Sequence, residues 1–172
     1  MGRLSPDSLT SMTKDSDIPS TQAVRLLRDQ RVEFTAHLYD YLERGGTAHS
    51  AIALAVDEYF VIKTLVLEDE RKQPLICLQH GNKEVSTKKL ARVLNVKSVS
   101  PCTPDTAHRH TGYQVGGTSP FGTRKHLPVY IQQSILTCER VFINGGKRGF
   151  LVALTPAEIV RITRATAVDA AA

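Results

Sequence analysis

The segment Tyr59–Glu68 constrains the fold most, because its apolar and β-branched residues make it the most strand-like stretch of the chain. A polar turn follows at Asp69–Gln73, and Pro74–Gln79 is apolar again. This order predicts a β-hairpin. Lys63 interrupts the first strand in the middle, where its neighbours on both faces are apolar.

Short helices and further strands surround this hairpin. Apolar residues recur at helical spacing after Ser20, a plausible N-cap, across Ala48–Val56 and after Ser86 or Thr87. A capping box at Thr155–Glu158 announces a last helix, whereas residues 100–111 are rich in turn formers. Further strands are predicted at Val32–Tyr41, Gly112–Val115, Leu127–Ile131, Arg140–Ile143 and Phe150–Leu154. Hairpins mixed with single helices indicate an α+β domain with a mixed sheet.

The chain has 172 residues, of which 41% are hydrophobic, enough for one domain of ordinary size. Residues 1–18 are polar and predict a flexible leader, residues 19–164 form the domain, and residues 165–172 form a small-residue tail that we expect to fray. No apolar run is long enough for a membrane span. The three cysteines lie far apart without a CxxC pair, which favours a reducing cytoplasmic location.

The net charge of +5 is compatible with a polyanionic partner such as a nucleic acid, although charge alone does not decide it. Aromatic residues make up only 6% of the chain, so an extended base-stacking platform is not suggested. His108, His110 and Cys102 lack a metal-binding spacing, and we interpret the histidines as solvated loop residues.

Lys63 is the first candidate functional residue. A lysine in the middle of an apolar strand must be desolvated, paired or directed into a pocket. The alternative is an edge-strand lysine that reaches water along its own stem and deters edge pairing. The strand by itself leaves both interpretations open.

Two glycine-rich segments are the other candidates. The segment Thr111–Gly122 reads TGYQVGGTSPFG, and its glycines could let backbone N–H groups approach an anion or oxyanion. It lacks the GxxxxGK[ST] pattern of a P-loop. The segment Asn144–Gly149 reads NGGKRG and places two cations beside flexible backbone, which suits a phosphodiester. Ordinary turns with solvated charges are the alternative for both.

Taken together, these segments resemble the YbaK/prolyl-tRNA-synthetase-associated domain family, the freestanding aminoacyl-tRNA deacylases. The resemblance covers Ser20 to Arg164 and depends on the order and spacing of several motifs. These are AVRLL from Ala23, IKTL from Ile62, the Thr111–Gly122 segment, Leu127-Pro128 and GGKRG from Gly145. It implies a mixed, barrel-like β-sheet surrounded by helices, and no metal or organic cofactor.

The implied activity is hydrolysis of the ester that joins a wrong amino acid to the 3′ end of a tRNA. The implied partners are a mischarged tRNA and, as a further expectation, prolyl-tRNA synthetase. By resemblance, Lys63 is the functional lysine, Thr64 lies beside it, and Tyr39 lines the pocket. The loop that holds the terminal adenosine and the ester comprises Gly116, Gly117, Thr118, Ser119 and Pro120. Asn144, Gly145 and Gly146 would contact substrate, and Lys147 and Arg148 would contact tRNA.

Two departures from the cysteinyl-tRNA deacylase branch concern specificity. Asn144 stands where that branch usually has Ser, and Leu151 stands where it has Asp. Removal of Ala, Ser or Thr is therefore as plausible as removal of Cys. The alternatives outside this activity are a non-catalytic module that binds a tRNA end or a synthetase, and an unrelated small hydrolase.

Overall fold

The computed structural model describes residues 13–172. Its helices are α1 (Gln22–Asp29), α2 (Gly46–Ala53), α3 (Thr87–Leu94), α4 (Pro104–Thr111) and α5 (Pro156–Thr163). Its strands are β1 (Thr35–Leu38), β2 (Val61–Asp69), β3 (Pro74–His80), β4 (Val99–Pro101), β5 (Val129–Gln132), β6 (Val141–Lys147), β7 (Phe150–Leu154) and β8 (Thr166–Val168). Short 3-10 turns occupy Asp15–Asp17, Glu58–Phe60 and Gln133–Thr137.

The strands form one mixed sheet in the order β1-β7-β6-β2-β3-β5-β8, and β4 pairs with the far end of β2. The β2–β3 hairpin is antiparallel, whereas β2 runs parallel to β6 and β3 runs parallel to β5. Within residues 13–172 the sheet is open, since β1 and β8 lie at its two ends. The predicted α+β class with a mixed sheet is confirmed, and the sheet is not a closed barrel.

The two faces of the sheet are covered differently. One face carries the main core, which contains Ile62, Ile76 and Leu78 together with α1 and α5. The other face carries two smaller apolar clusters. One of them lies under α2 and includes Val61, and the other lies under α3 and includes Leu67.

The segment that precedes the glycine loop differs from the prediction. Residues 104–111 form α4 because the Thr103 hydroxyl accepts a hydrogen bond from the Thr106 amide at 3.3 Å. Proline at the first helical position then fits the helix without losing a bond. Gly112 ends the helix with a φ of 80°, so the predicted strand Gly112–Val115 is wrong.

The helix caps are partly as predicted. Thr21, not Ser20, caps α1, because the Thr21 hydroxyl accepts a hydrogen bond from the Val24 amide at 3.1 Å. Ser86 caps α3 as expected. At α5 the capping box does not form, since the Glu158 carboxylate instead pairs with Arg161 at 2.6 Å.

The last residues of the chain are more ordered than the sequence predicts. Where a fraying tail is expected, β8 pairs with β5 and Ala170 is fully buried. The Ala170 amide donates to the Gln132 side-chain oxygen at 2.9 Å, and the Ala170 carbonyl oxygen accepts from the Ser86 amide at 2.7 Å, so hydrogen bonds hold these small residues in place. Of the expected leader, residues 1–12 lie outside the described part, whereas the Thr13 amide donates to the Ala36 carbonyl oxygen at 2.7 Å.

Candidate active site

Lys63 lies at the seam between the two smaller apolar clusters. Strand alternation puts its side chain on the same face as Val61, which packs under α2, and Leu65, which packs beside α3. The side chain is 19% exposed, and its ammonium lies 3.7 Å from the carboxylate of Glu84, itself 86% exposed. The Lys63 side chain is thus largely withdrawn from water, and its ammonium is held only by a weak ion pair with an exposed partner.

A row of polar side chains crosses the sheet at the level of Lys63. Gln79 lies opposite Lys63 in the β2–β3 register, and the Gln79 amide donates to the Gln132 side-chain oxygen at 3.4 Å. Both glutamines are buried. Gln132 also donates to Asp169 at 3.0 Å and accepts from the Ala170 amide at 2.9 Å. Hydrogen bonds with Asp169 and Ala170 of the C-terminal segment therefore hold Gln132, which in turn contacts Gln79 opposite Lys63.

Asn144 continues this row on the other side of Lys63. The parallel pairing of β2 with β6 ends at Ile62 and Ile143, so Lys63 and Asn144 are the first residues beyond the paired part of the two strands. The Asn144 amide group donates to the Gly116 carbonyl oxygen at 3.2 Å, and its oxygen accepts from the Gly146 amide at 2.6 Å. The Asn144 side chain thus joins the two glycine segments.

The two glycine segments pack backbone against backbone. A Cβ atom on Gly117 would lie 2.8 Å from the Arg148 amide nitrogen, and one on Gly116 would lie 2.6 Å from the Tyr41 hydroxyl. Gly116 also has a φ of 86°, which favours glycine. Both positions therefore require glycine for this close approach.

Tyr39 lies beside the glycine turn Asn144–Gly149. It packs in the cluster under α2, and its ring lies 5.9 Å from the His49 ring. Burial raises the pKa of its hydroxyl above the ordinary value, with the Ser50 side chain opposing the shift. The Tyr39 amide donates to the Gly149 carbonyl oxygen at 2.9 Å, which links the Tyr39 backbone to the glycine turn.

Most of the predicted site residues are brought together, but several are turned away from solvent. Thr64 alternates to the opposite face from Lys63, and its buried hydroxyl has no hydrogen-bond partner. Ser119 is fully buried and its hydroxyl accepts from the Phe121 amide at 3.2 Å. Gly117, Pro120 and Gly145 are also buried, whereas Thr118 and Gly146 are partly exposed, and Lys147 and Arg148 are exposed.

The amides of the glycine loop are not equivalent. The Gly117 amide already donates to the Gln114 carbonyl oxygen at 2.8 Å, and the Thr118 hydroxyl donates to the same oxygen at 3.2 Å. The buried Tyr113 hydroxyl donates to the Phe121 carbonyl oxygen, and burial raises the pKa of Tyr113 to about 12. These bonds fix the shape of the loop.

No sequence motif marks Tyr41, Gln79 or Gln132 as part of this region. The two glutamines are uncharged and lie on separate strands, so only the sheet register reveals that they meet. Tyr41 follows a short strand in an irregular segment, and nothing in its sequence neighbours indicates that it reaches Gly116. An amide directly after an apolar strand core, as Gln79 follows Leu78, was the one available signal.

Other reactive groups fall outside this region. The buried His80 donates from Nδ1 to the Tyr59 carbonyl oxygen at 2.7 Å. Its Nε2 lies 2.7 Å from the Ser134 hydroxyl oxygen, and its ring stacks on the Tyr59 ring. Burial raises the pKa of the Cys77 thiol to about 12. Within residues 13–172, no three metal-binding side chains cluster. None of the helices in that same range combines the length and apolar character of a membrane span.

Comparison with known families identifies the chain. The model of the aminoacyl-tRNA editing domain matches residues 46–162, which include Lys63 and both glycine segments. The chain belongs to this family. The match begins at the first residue of α2 and ends within α5.

Individual relatives agree with this assignment. EbsC of Enterococcus faecalis, provisionally named a Cys-tRNA(Pro)/Cys-tRNA(Cys) deacylase, is 29% identical over 88% of this chain and 93% of its own length. A proline–tRNA ligase of Brachyspira hyodysenteriae is 24% identical over half of this chain and 15% of its own length. A crystal structure provisionally described as a trans-editing enzyme for prolyl-tRNA synthetase superposes with a TM-score of 0.77. It is 22% identical, covering 90% of this chain and 99% of that one, and shows the same fold.

Proposed function

We propose that this editing-domain protein is a trans-acting deacylase that hydrolyses the ester of a mischarged tRNA carrying a small amino acid. The observation that carries the proposal is the placement of Asn144. The pairing of its strand with the lysine strand reaches Ile143 and Ile62, one residue before Asn144 and Lys63, and its side-chain amide donates to the Gly116 carbonyl oxygen at 3.2 Å. The largely buried Lys63 side chain, the glycine loop and the basic turn are therefore neighbours in one region of the protein.

The lysine, the glycine loop and the basic turn each suit one part of an aminoacyl ester. The Lys63 ammonium can hold a phosphate or ribose oxygen of the terminal adenosine and set the ester in place. An amide of the glycine loop can stabilise the oxyanion as it forms. We assign that role first to Gly116, because the Gly117 amide is engaged with Gln114 and would have to share its proton.

A general base is supplied by the substrate in this proposal. The buried His80 lies on the opposite face from Lys63, paired with Ile62. A ribose hydroxyl of the tRNA, or the thiol of an attached cysteine, can instead take part in the attack. If the substrate supplies the base, the main task of the protein is to position the ester. The close contacts of Gly116 and Gly117 with Tyr41 and Arg148 hold the glycine loop in place for that task.

The basic turn suits the tRNA backbone. Lys147 and Arg148 are exposed beside the glycine loop. Contacts of such side chains with phosphates release counterions, so the affinity for tRNA should fall as salt rises. We propose that the protein corrects the errors of prolyl-tRNA synthetase. The proline–tRNA ligase of Brachyspira hyodysenteriae, which matches half of this chain, supports that choice.

Specificity for the amino acid is proposed to depend on Asn144 and Leu151. These two departures from the cysteinyl-tRNA branch are direct cross-strand partners in the β6–β7 hairpin. Leu151 is buried in the cluster that includes Tyr39. An apolar residue there replaces a carboxylate and favours a small apolar or weakly polar side chain over one that needs a charged partner.

The test is a deacylation screen with tRNA-Pro charged with Ala, Cys, Ser, Thr or Pro. We expect rapid hydrolysis of at least one small aminoacyl ester and slow hydrolysis of the prolyl ester. A protein that binds these tRNAs but hydrolyses none of them would be a non-catalytic binding module, and the proposal would be wrong. Rapid hydrolysis of the prolyl ester would contradict the editing role.

A further inference from the structure

Tyr41 and Arg148 form an exposed pair at the rim of the glycine loop. The Arg148 guanidinium carbon lies 5.2 Å from the centroid of the Tyr41 ring, within the range of a cation–π contact. The ring is 38% exposed despite its size. An aromatic side chain stacked with a cation and open to solvent is an uncommon surface feature that suits a planar ligand.

Both members of the pair are held in position. The Arg148 Nε donates to the Val115 carbonyl oxygen at 2.8 Å, which fixes the guanidinium against the loop. The Tyr41 main chain packs on Gly149, and its hydroxyl contacts the position where Gly116 lacks a side chain. The pair, which we call the platform, is therefore held by contacts of both side chains with the glycine loop.

The surroundings of the platform are apolar and basic. Val115, whose carbonyl oxygen accepts from Arg148, is 51% exposed, and Leu42, which follows Tyr41 in the chain, is 55% exposed. These side chains offer apolar area to the flat face of a ligand. Lys147 and Arg148 add positive charge at the same turn. Aromatic stacking next to cations is the combination that binds unpaired nucleotides.

We propose that Tyr41 and Arg148 form a subsite for the nucleobase of the nucleotide next to the esterified adenosine. This inference rests on the proposed function, in which the Gly116 loop holds the terminal nucleotide. The platform begins where that loop ends, at the hydroxyl contact between Tyr41 and Gly116. A base stacked there would fix the direction in which the 3′ strand enters the site.

The experiment measures binding of unacylated RNA, independently of hydrolysis. The probes are a 5′-labelled oligoribonucleotide ending in CCA and two versions that are abasic at the second or third position from the 3′ end. Because stacking contributes about 1–3 kcal/mol per base, we expect the wild-type protein to bind the second-position abasic probe about 10-fold more weakly. The third-position probe should bind nearly as well as the intact one.

The variants locate the effect. Tyr41→Leu should bind the intact and second-position abasic probes equally, and Tyr41→Phe should still distinguish them, since stacking does not need the hydroxyl. Arg148→Lys should reduce the discrimination because an ammonium is not planar. Leu136→Ala is the matched control, since it removes a similarly exposed apolar side chain (41%) from the 3-10 turn Gln133–Thr137, outside both glycine segments, and it should behave as wild type.

Two results would overturn the subsite. One is a wild-type protein that binds the second-position abasic probe as well as the intact one, including the case of no detectable binding to either. The other is unchanged discrimination in Tyr41→Leu. Failure of the proposed function is a separate result, because it shows as missing hydrolysis of every mischarged tRNA whatever the probes do.

Discussion

Replacement of Lys63 by alanine tests the site with little effect on the fold. The substitution removes an ion pair with Glu84 at 3.7 Å, and that carboxylate is 86% exposed. Such a pair contributes at most about 1 kcal/mol to the free energy of unfolding. Alanine also removes the cost of keeping an ammonium partly desolvated at the seam between the two clusters. We therefore expect a stability change below about 1 kcal/mol.

The effect on hydrolysis should be larger. If Lys63 positions the ester, its loss misplaces the reacting atoms and lowers the single-turnover rate about 100-fold or more. That factor corresponds to about 2.7 kcal/mol of transition-state stabilisation. Lys63→Arg should also be slow, because a planar guanidinium does not replace a compact ammonium at this seam.

The assay pairs the deacylation rate on the best mischarged tRNA with urea unfolding of the same sample. Lys72→Ala is the matched control, since Lys72 belongs to the same hairpin, is 78% exposed and pairs with Glu68 at 3.1 Å. Glu84→Gln separates the ion pair from the lysine itself and should retain activity. A wild-type rate in Lys63→Ala, or an equal loss in Lys72→Ala, would refute the reasoning.

Three further predictions concern the loop, the buried histidine and specificity. Gly117→Ala places a methyl group 2.8 Å from the Arg148 amide nitrogen, so it should cost about 1–3 kcal/mol in urea unfolding and slow deacylation. An unchanged rate would show that the backbone contact is dispensable. Burial holds the pKa of His80 below its ordinary value. The free energy of unfolding should therefore be highest above about pH 6.5 and fall as the pH drops towards the lowered pKa, because the unfolded chain then binds more protons. A urea midpoint that stays constant from pH 7 to pH 5 would contradict this prediction. Asn144→Ser combined with Leu151→Asp should shift the ratio of Cys-tRNA to Ala-tRNA hydrolysis towards Cys, and an unchanged ratio would remove this cross-strand pair from specificity.

The β2–β3 hairpin was predictable because both strands are mainly apolar segments around a polar turn, and local patterning decides such a unit. The α4 helix was not, because Thr103 and Pro104 resemble turn residues until the following residues are seen to form a capped helix. Strand β8 was also missed. It exists only because β5 offers an unpaired edge, which is a non-local condition.

The site shows the same division between local and non-local information. Lys63 and the glycines stand out in the sequence because each breaks the pattern around it. The roles of Asn144 and Gln79 depend on which strands are neighbours, and the parallel pairing of β2 with β6 joins residues about 80 positions apart. Thr64 illustrates the converse, since a sequence neighbour of Lys63 lies on the opposite face of the same strand.

Trans-editing itself is tested most directly in a complete aminoacylation reaction. Prolyl-tRNA synthetase is supplied with tRNA-Pro and one small non-cognate amino acid, and the level of mischarged tRNA is followed with and without this protein. We predict that catalytic amounts of the wild-type protein abolish its accumulation while leaving Pro-tRNA-Pro intact in a parallel reaction with proline. Accumulation of mischarged tRNA at the same level with and without the protein, for every small amino acid, would contradict the account.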